Sequence, residues 1–405
     1  NKSNKINSVT NEKISYDGAQ VLNVNIDKVK ELVDEFEVEQ WGGNHTHTDI
    51  FVNKDEVSKI RSYLAEKNIK FKTVIENVQD AIDSENLPVM DGDDEFEEAK
   101  GHKMTWRSYH RLDDIYGYLD YLAITYPDIV SVGSVGISAE GRQIKYIRIT
   151  CGKTNAKKFW IDGGTHAREW ISQATATYII RELVENRQAH MPDIDGIDFY
   201  IVPVINPDGY EYTHRRDRLW RKNLSKGDNF CFGTDLYLNW DYMWGGPGTS
   251  GDHCSNSYRG TGPFSEPETR SVSTFILNNK DNMKAFITLH SYGQYIYIPY
   301  GYQTGVLPSD FNELETVAKR AAKAIKFTTG ASYTAMNVGN SLYNASGTTD
   351  DWAKGCAGIK YVYLIELRDQ GTYGFLLPAK YIIPTASEAF VAIKSVAEAI
   401  HEANN

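Results

Sequence analysis

The chain runs to 405 residues, 41 % of them apolar, long enough for a large core and more than one domain, with no apolar run near the ~20 residues of a membrane span. Its net charge of −11 is concentrated at one end, for residues 1–100 hold 12 Lys and Arg against 22 Asp and Glu while the rest hold 31 against 32. An acidic module beside a neutral one follows, and nucleic-acid binding is disfavoured.

Residues 1–15 are polar and aperiodic, and a loose terminus is expected there. The opening Asn1-Lys2-Ser3 carries no signal-peptide pattern, as in an already trimmed, secreted product. Sequons at Asn1, Asn44, Asn223 and Asn344 permit glycosylation. From 21 to 75 the pattern is strand, helix, two strands, helix, strand. Alternating runs at 21–26, 36–41, 48–52 and 71–75 are separated by helical runs at 27–33 and 56–66. That order predicts a ferredoxin-like α+β unit. An acidic run at 91–103 follows, ending in Lys100 and Lys103. It is either a solvated linker or a segment presented to a trypsin-like protease.

From Trp106 onward, strands are expected at 145–150, 158–162, 199–205, 285–290 and 361–367. Helices are expected at 112–122, 171–184, 271–277, 314–325 and 387–401. Buried strands alternating with helices predict an α/β sandwich around a mixed, largely parallel sheet. Cys151 and Cys356 flank strands and are expected to be buried free thiols.

Three of these strands end in chemistry. The first leads through Gly163-Gly164-Thr165 into His166, with Glu169 three residues on, so both side chains share one face of a helical turn. Imidazole and carboxylate suit zinc, whose catalytic sites keep three protein ligands and one open position, although such a pair also serves as a helix cap. His290 closes a second buried strand, and Glu366 puts a charge inside a third, where it must pair, protonate or face a wet cavity. Open α/β sheets bind ligands at the carboxyl ends of their strands, so the four can meet in one crevice.

The stretches GGTHAREW, INPDGYEYT, RLWRKN, LHSYGQ, SLYNASG, IELRD and YGFLLPAKYIIPT resemble, in order and spacing, the zinc metallocarboxypeptidases of the digestive carboxypeptidase A/B family. The likeness runs from residue 20 to the C-terminus. It implies a secreted zymogen: an inhibitory propeptide at 1–100 with an activation segment at about 91–103, then a catalytic domain at 101–405. It also implies a monomer acting on peptide C-termini, with the propeptide as inhibitor and activation by cleavage at Lys100 or Lys103. Carboxypeptidase A is itself a standard His₂Glu zinc enzyme, and the resemblance carries that set onto His166, Glu169 and His290, with one zinc. By the same correspondence Glu366 is the general base and Arg221 steadies the oxyanion. Tyr343 closes over substrate, Phe375 lines the entrance, and Arg168, Ser291 and Tyr292 are subsite contacts. Cys231 and Cys254 fall on the family's disulfide positions.

Asp350 falls where B-type enzymes carry the aspartate that selects Lys or Arg, and Gly301 keeps the neighbouring wall open; alternatively Asp350 bonds local backbone and Asp351 is structural. One departure stands out. Tyr237-Leu238 occupy the positions of the family's Asn-Arg clamp for the substrate's terminal carboxylate, and leucine offers no planar fork. Weakened binding of the free acid and better tolerance of C-terminal amides are expected. The alternative reading is an impaired homologue that binds peptide C-termini without turnover.

Overall fold

Six short elements near the N-terminus, four strands and two helices, obey the expected order. In the computed structural model, which describes residues 12–36, 38–44, 46–88, 101–227, 231–341 and 344–403, the first sheet is built from β1 (Gln20–Asn25), β2 (Val38–Gly43), β3 (His47–Val52) and β4 (Phe71–Ile75). Their spatial order is β2-β3-β1-β4, with antiparallel pairing throughout. Helices α1 (Val29–Glu35) and α2 (Lys54–Glu66) cover one face, where Leu22, Val24, Leu32, Ile50, Val52, Ile60 and Leu64 form the core. Period-two alternation sends Val21 and Phe51 to the other face, and there they meet Leu219 and Leu376 of the larger unit. A helix absent from the sequence expectation, α3 (Val78–Glu85), joins this second cluster through Val78. The expected loose terminus is tied down in its described part: Ile14 donates its amide to the Arg216 carbonyl, and the Tyr16 phenol donates to Asp217. Most of the acidic segment, with Lys100, lies outside the described residues.

The larger sheet has eight strands: β5 (Val130–Ile137), β6 (Gln143–Ile149), β7 (Lys157–Asp162), β8 (Ile197–Val202), β9 (Met283–Ser291), β10 (Tyr295–Ile298), β11 (Thr334–Asn337) and β12 (Tyr361–Leu367). The order is β11-β10-β12-β9-β7-β8-β6-β5, and the central run from β12 to β8 is parallel. Both faces are covered, so the central strands are apolar on both sides. On one side α4 (Leu112–Thr125), α5 (Trp170–Val184), α9 (Phe311–Thr329) and α11 (Ile382–Glu402) pack over Phe159, Ile161, Ile287 and Ile365. The other side holds Trp160, Val202, Phe286, Val362 and Trp240, covered by α8 (Pro267–Asn279) and α10 (Thr349–Gly355). Two further helices, α6 (Arg187–Ile194) and α7 (Pro207–Arg215), complete the layer structure. Among the described residues no helix is long and apolar enough to cross a membrane.

Cys231 and Cys254 are bonded, with Cα atoms 5.1 Å apart and a sequence separation of 23. Closing a loop of that size contributes roughly 3 kcal/mol on a chain-entropy view, so Cys231→Ser with Cys254→Ser should lower unfolding stability by about that much in denaturant titrations. The expectation for the other two cysteines needs correcting. Cys151 is only half-buried, just beyond the end of β6, and Cys356 is exposed at the end of α10, where its Sγ reaches the Asp241 carbonyl. The Asn223 sequon is closed by folding: its side chain is fully buried and donates to Glu266 and Glu268.

Candidate metal centre and substrate cleft

Parallel register does the first part of the assembly. β12 and β9 pair Glu366 with His290 and Leu367 with Ser291, so two chemically loaded residues emerge side by side at the carboxyl ends of their strands. β7 lies on the other side of β9, and the turn after it delivers His166 and Glu169. Gly164 makes that turn with φ +69°, a conformation that favours glycine, and a Cβ there would press on the Gln173 side chain.

His166, Glu169 and His290 converge, with one donor atom from each inside a 4.8 Å cluster, all buried. The Nδ1 atoms of the two histidines face each other at 3.1 Å, and each is within 3.1 Å of a Glu169 oxygen. The far nitrogen of His166, Nε2, lies 3.0 Å from Asp235 Oδ1. A proton held there leaves the Nδ1 lone pair pointing inward, the arrangement a metal-ligating imidazole needs. Burial alone would raise the Glu169 carboxyl, but His166 and His290 outweigh it and hold the group far below the usual carboxylate range. Two inward nitrogens and an ionised carboxylate form a donor set that fits zinc.

The remaining groups surround that cluster. Glu366 is half-buried, and its Oε2 has no hydrogen-bond partner among the described residues. Burial and the nearby Glu169 carboxylate push the Glu366 carboxyl well up, with Arg221 opposing. Arg221 is held by Asp235, its Nε and Nη2 each 2.9 Å from Oδ2. Asp235 thus fixes both a ligand histidine and the arginine, and it also caps the short 3-10 turn Leu236–Leu238 by accepting the Tyr237 amide. Asp235 is absent from the residues expected from sequence. Its signal was an aspartate just ahead of an apolar turn in the cysteine-flanked loop.

A cleft of about 1310 Å³ opens over the cluster, and both units line it. From the larger unit come His166, Arg168, Glu169, Arg221, Tyr237, Leu238, His290, Ser291, Tyr292, Glu366 and Phe375. From the small unit come Glu39, Gln40, Trp41, Gly42 and Phe51. Arg168 donates to Glu39 at 2.7 Å, the Tyr292 phenol donates to Asp49 at 2.8 Å, and Trp41 lies against Phe375. Ser291 donates its amide to Glu169. Tyr343 lies outside the described residues. Lys103 is exposed beside the buried Met104.

The pocket residues are arranged differently from the sequence expectation. Asp350 is fully buried and does not line the cleft; its Oδ1 accepts a 2.9 Å hydrogen bond from the Tyr237 phenol. Asp351 takes the structural task, accepting the Gly301 and Tyr302 amides. Gly301 is also off the cleft, and a Cβ there would meet Val338 at 2.8 Å. Leu238 packs with Leu364, Tyr297 and Ala345, so an apolar contact stands at the clamp position. Arg168 and Arg221 are the cleft's Arg or Lys side chains among the described residues.

Comparison with known proteins places these features in a family. A model described as zinc carboxypeptidase matches residues 115–392, and one described as carboxypeptidase activation peptide matches 23–85. The chain is 44 % identical to carboxypeptidase B of Astacus astacus over 301 residues, covering 74 % of this chain and 99 % of that protein. It is 36 % identical to carboxypeptidase A1 of Sus scrofa over 401 residues, covering 94 % and 93 % respectively. The solved structure of thrombin activatable fibrinolysis inhibitor superposes with a TM-score of 0.86 at 35 % identity, covering 95 % of this chain and 99 % of that one.

Proposed function

The chain belongs to the zinc carboxypeptidase family as the zymogen of an A/B-type enzyme, and from that premise we propose that removal of residues 1–100 frees an exopeptidase that takes single Lys or Arg residues from peptide C-termini. The observation that carries the reading is the convergence of His166, Glu169 and His290 beneath a cleft that also presents Glu366 and Arg221. Zinc, when bound, polarises the scissile carbonyl and makes water a usable nucleophile near neutral pH. Glu366 takes the proton from the attacking water and returns it to the leaving amine. Arg221, steadied by Asp235, faces the negative charge that grows on the carbonyl oxygen, an interaction strongest at the transition state. Arg168, Ser291, Tyr292 and Phe375 form the subsites, with Tyr343 closing over substrate. Asp350 supplies the charge preference, because a buried carboxylate favours a cationic side chain through charge-assisted hydrogen bonds. Of the two relatives above, one is named a carboxypeptidase B and one a carboxypeptidase A1; the acidic Asp350 favours the former's class.

The small unit is read as the inhibitor, since Glu39 and Asp49 already hold Arg168 and Tyr292. The activating cut falls at Lys100 or Lys103. Trypsin treatment should therefore release activity on benzoyl-glycyl-arginine and leave a product starting at Gly101 or Met104. Asp350→Ile should then move preference toward apolar C-terminal residues. Full activity of the uncut chain on large peptides would remove the inhibitory role, and an unchanged preference would remove Asp350 as the selector.

A further inference from the structure

Tyr237 has two faces of interest. Its ring lines the cleft beside the ligand histidines, with ring centroids 5.7 Å from His166 and 5.1 Å from His290. Its hydroxyl reaches away from them to Asp350, which the cleft does not otherwise touch. The backbone beneath is anchored by the Asp235 cap.

The bond it makes is incomplete. A phenol has one proton to give, and it satisfies Oδ1; Asp350 Oδ2 is buried with no hydrogen-bond partner among the described residues. The hydroxyls of Ser346, Thr348 and Thr349, in the same stretch of chain, are buried without a well-formed hydrogen bond among the described residues, and that of Thr348 is the one near both Asp350 and Tyr237. Thr348 and the Asp350 backbone also act on the carboxylate, but a buried carboxylate with one well-formed hydrogen bond remains a high-energy arrangement. A guanidinium offers two parallel N–H groups and can engage both oxygens at once.

We infer that Tyr237 is a movable plug of the side-chain pocket, whose phenol holds on Asp350 the place that the terminal cation of a substrate side chain takes when it enters. The inference rests on the reading of Asp350 as the selector. Entry of a C-terminal arginine displaces the phenol toward the cleft and exchanges one hydrogen bond for two. Apolar side chains cannot make that exchange and meet a filled pocket. Tyr237 is thus a specificity determinant at a position where relatives use the residue type of a carboxylate clamp.

The test uses the full chain, zinc-loaded and trypsin-treated. In Tyr237→Phe the ring remains but the competing bond is gone, a contact to a charged group whose loss corresponds to about tenfold or more. The KM ratio of benzoyl-glycyl-arginine to benzoyl-glycyl-phenylalanine should shift about tenfold toward arginine with the kcat ratio unmoved, and calorimetric affinity for free L-arginine should rise by the same factor. In the parent, L-arginine should produce a tyrosine difference spectrum that Tyr237→Phe lacks. A KM ratio that stays put or moves toward phenylalanine, or an identical difference spectrum in both proteins, overturns the plug. Asp350→Ala separates the two claims. If it abolishes arginine preference while Tyr237→Phe changes nothing, only the plug falls; if neither variant alters preference, the selector reading falls with it.

Discussion

Glu366→Gln should lower kcat by about 10²–10⁴-fold while the zinc content stays at one per chain. The carboxylate stands in register with His290 on the adjacent parallel strand, yet it is not part of the three-residue donor cluster. Glutamine keeps the shape and removes the basic oxygen. The variant should therefore hold the metal, bind substrate and fail to accept the proton, so the loss appears in kcat rather than KM. Metal analysis alongside turnover checks this. Loss of zinc would make Glu366 a ligand, and near-normal turnover would place the base elsewhere.

The second large effect concerns latency. Glu85, at the end of α3, meets Arg218 of the larger unit in a buried two-point ion pair, with Arg218 Nη2 2.7 Å from Oε2. Arg218 is stacked on Trp170 and donates also to the Arg168 and Phe375 carbonyls, so it bridges two cleft elements. Burial outweighs the pull of Arg218 and leaves the Glu85 carboxyl above its ordinary value, so the charge depends on its partner. Removing one partner of such a pair typically costs 3–5 kcal/mol. Glu85→Ala should thus weaken docking of the small unit by about 10²-fold or more, and uncut protein should hydrolyse small peptides that the uncut parent leaves intact. Uncut Glu85→Ala with the parent's latency would show that other contacts hold the inhibitor. Glu39→Gln makes a milder comparison, because its ion pair with Arg168 is partly solvated.

What was legible in the sequence followed from chemistry with few solutions. His166 and Glu169 share a turn, His290 and Glu366 end buried strands, and metal binding needs those residue types at strand ends. The order of elements at 21–75 was legible because alternation and helical period differ sharply there. The four-residue strands β10 and β11 were too short to show a period, and α7 hides behind polar residues although Asn206 and Pro207 begin it. Tyr237 and Asp350 are 113 positions apart, and Glu85 and Arg218 are 133 apart. Pairings at that distance leave no local trace: each residue alone looks like an ordinary turn tyrosine or helix-end glutamate.

The small sheet reaches the cleft through β2, its edge strand, which brings Glu39, Gln40, Trp41 and Gly42. None of those contacts, nor Glu85–Arg218, involves the bond that activation severs. Before the cut, the inhibitor is an intramolecular ligand with an effective concentration on the order of millimolar; afterwards it competes at its bulk concentration. Cleavage is then permissive, and dilution or destruction of the freed module completes activation. Activity after a single complete cut should accordingly depend on total protein concentration, rising on dilution with a slow phase set by the module's dissociation rate.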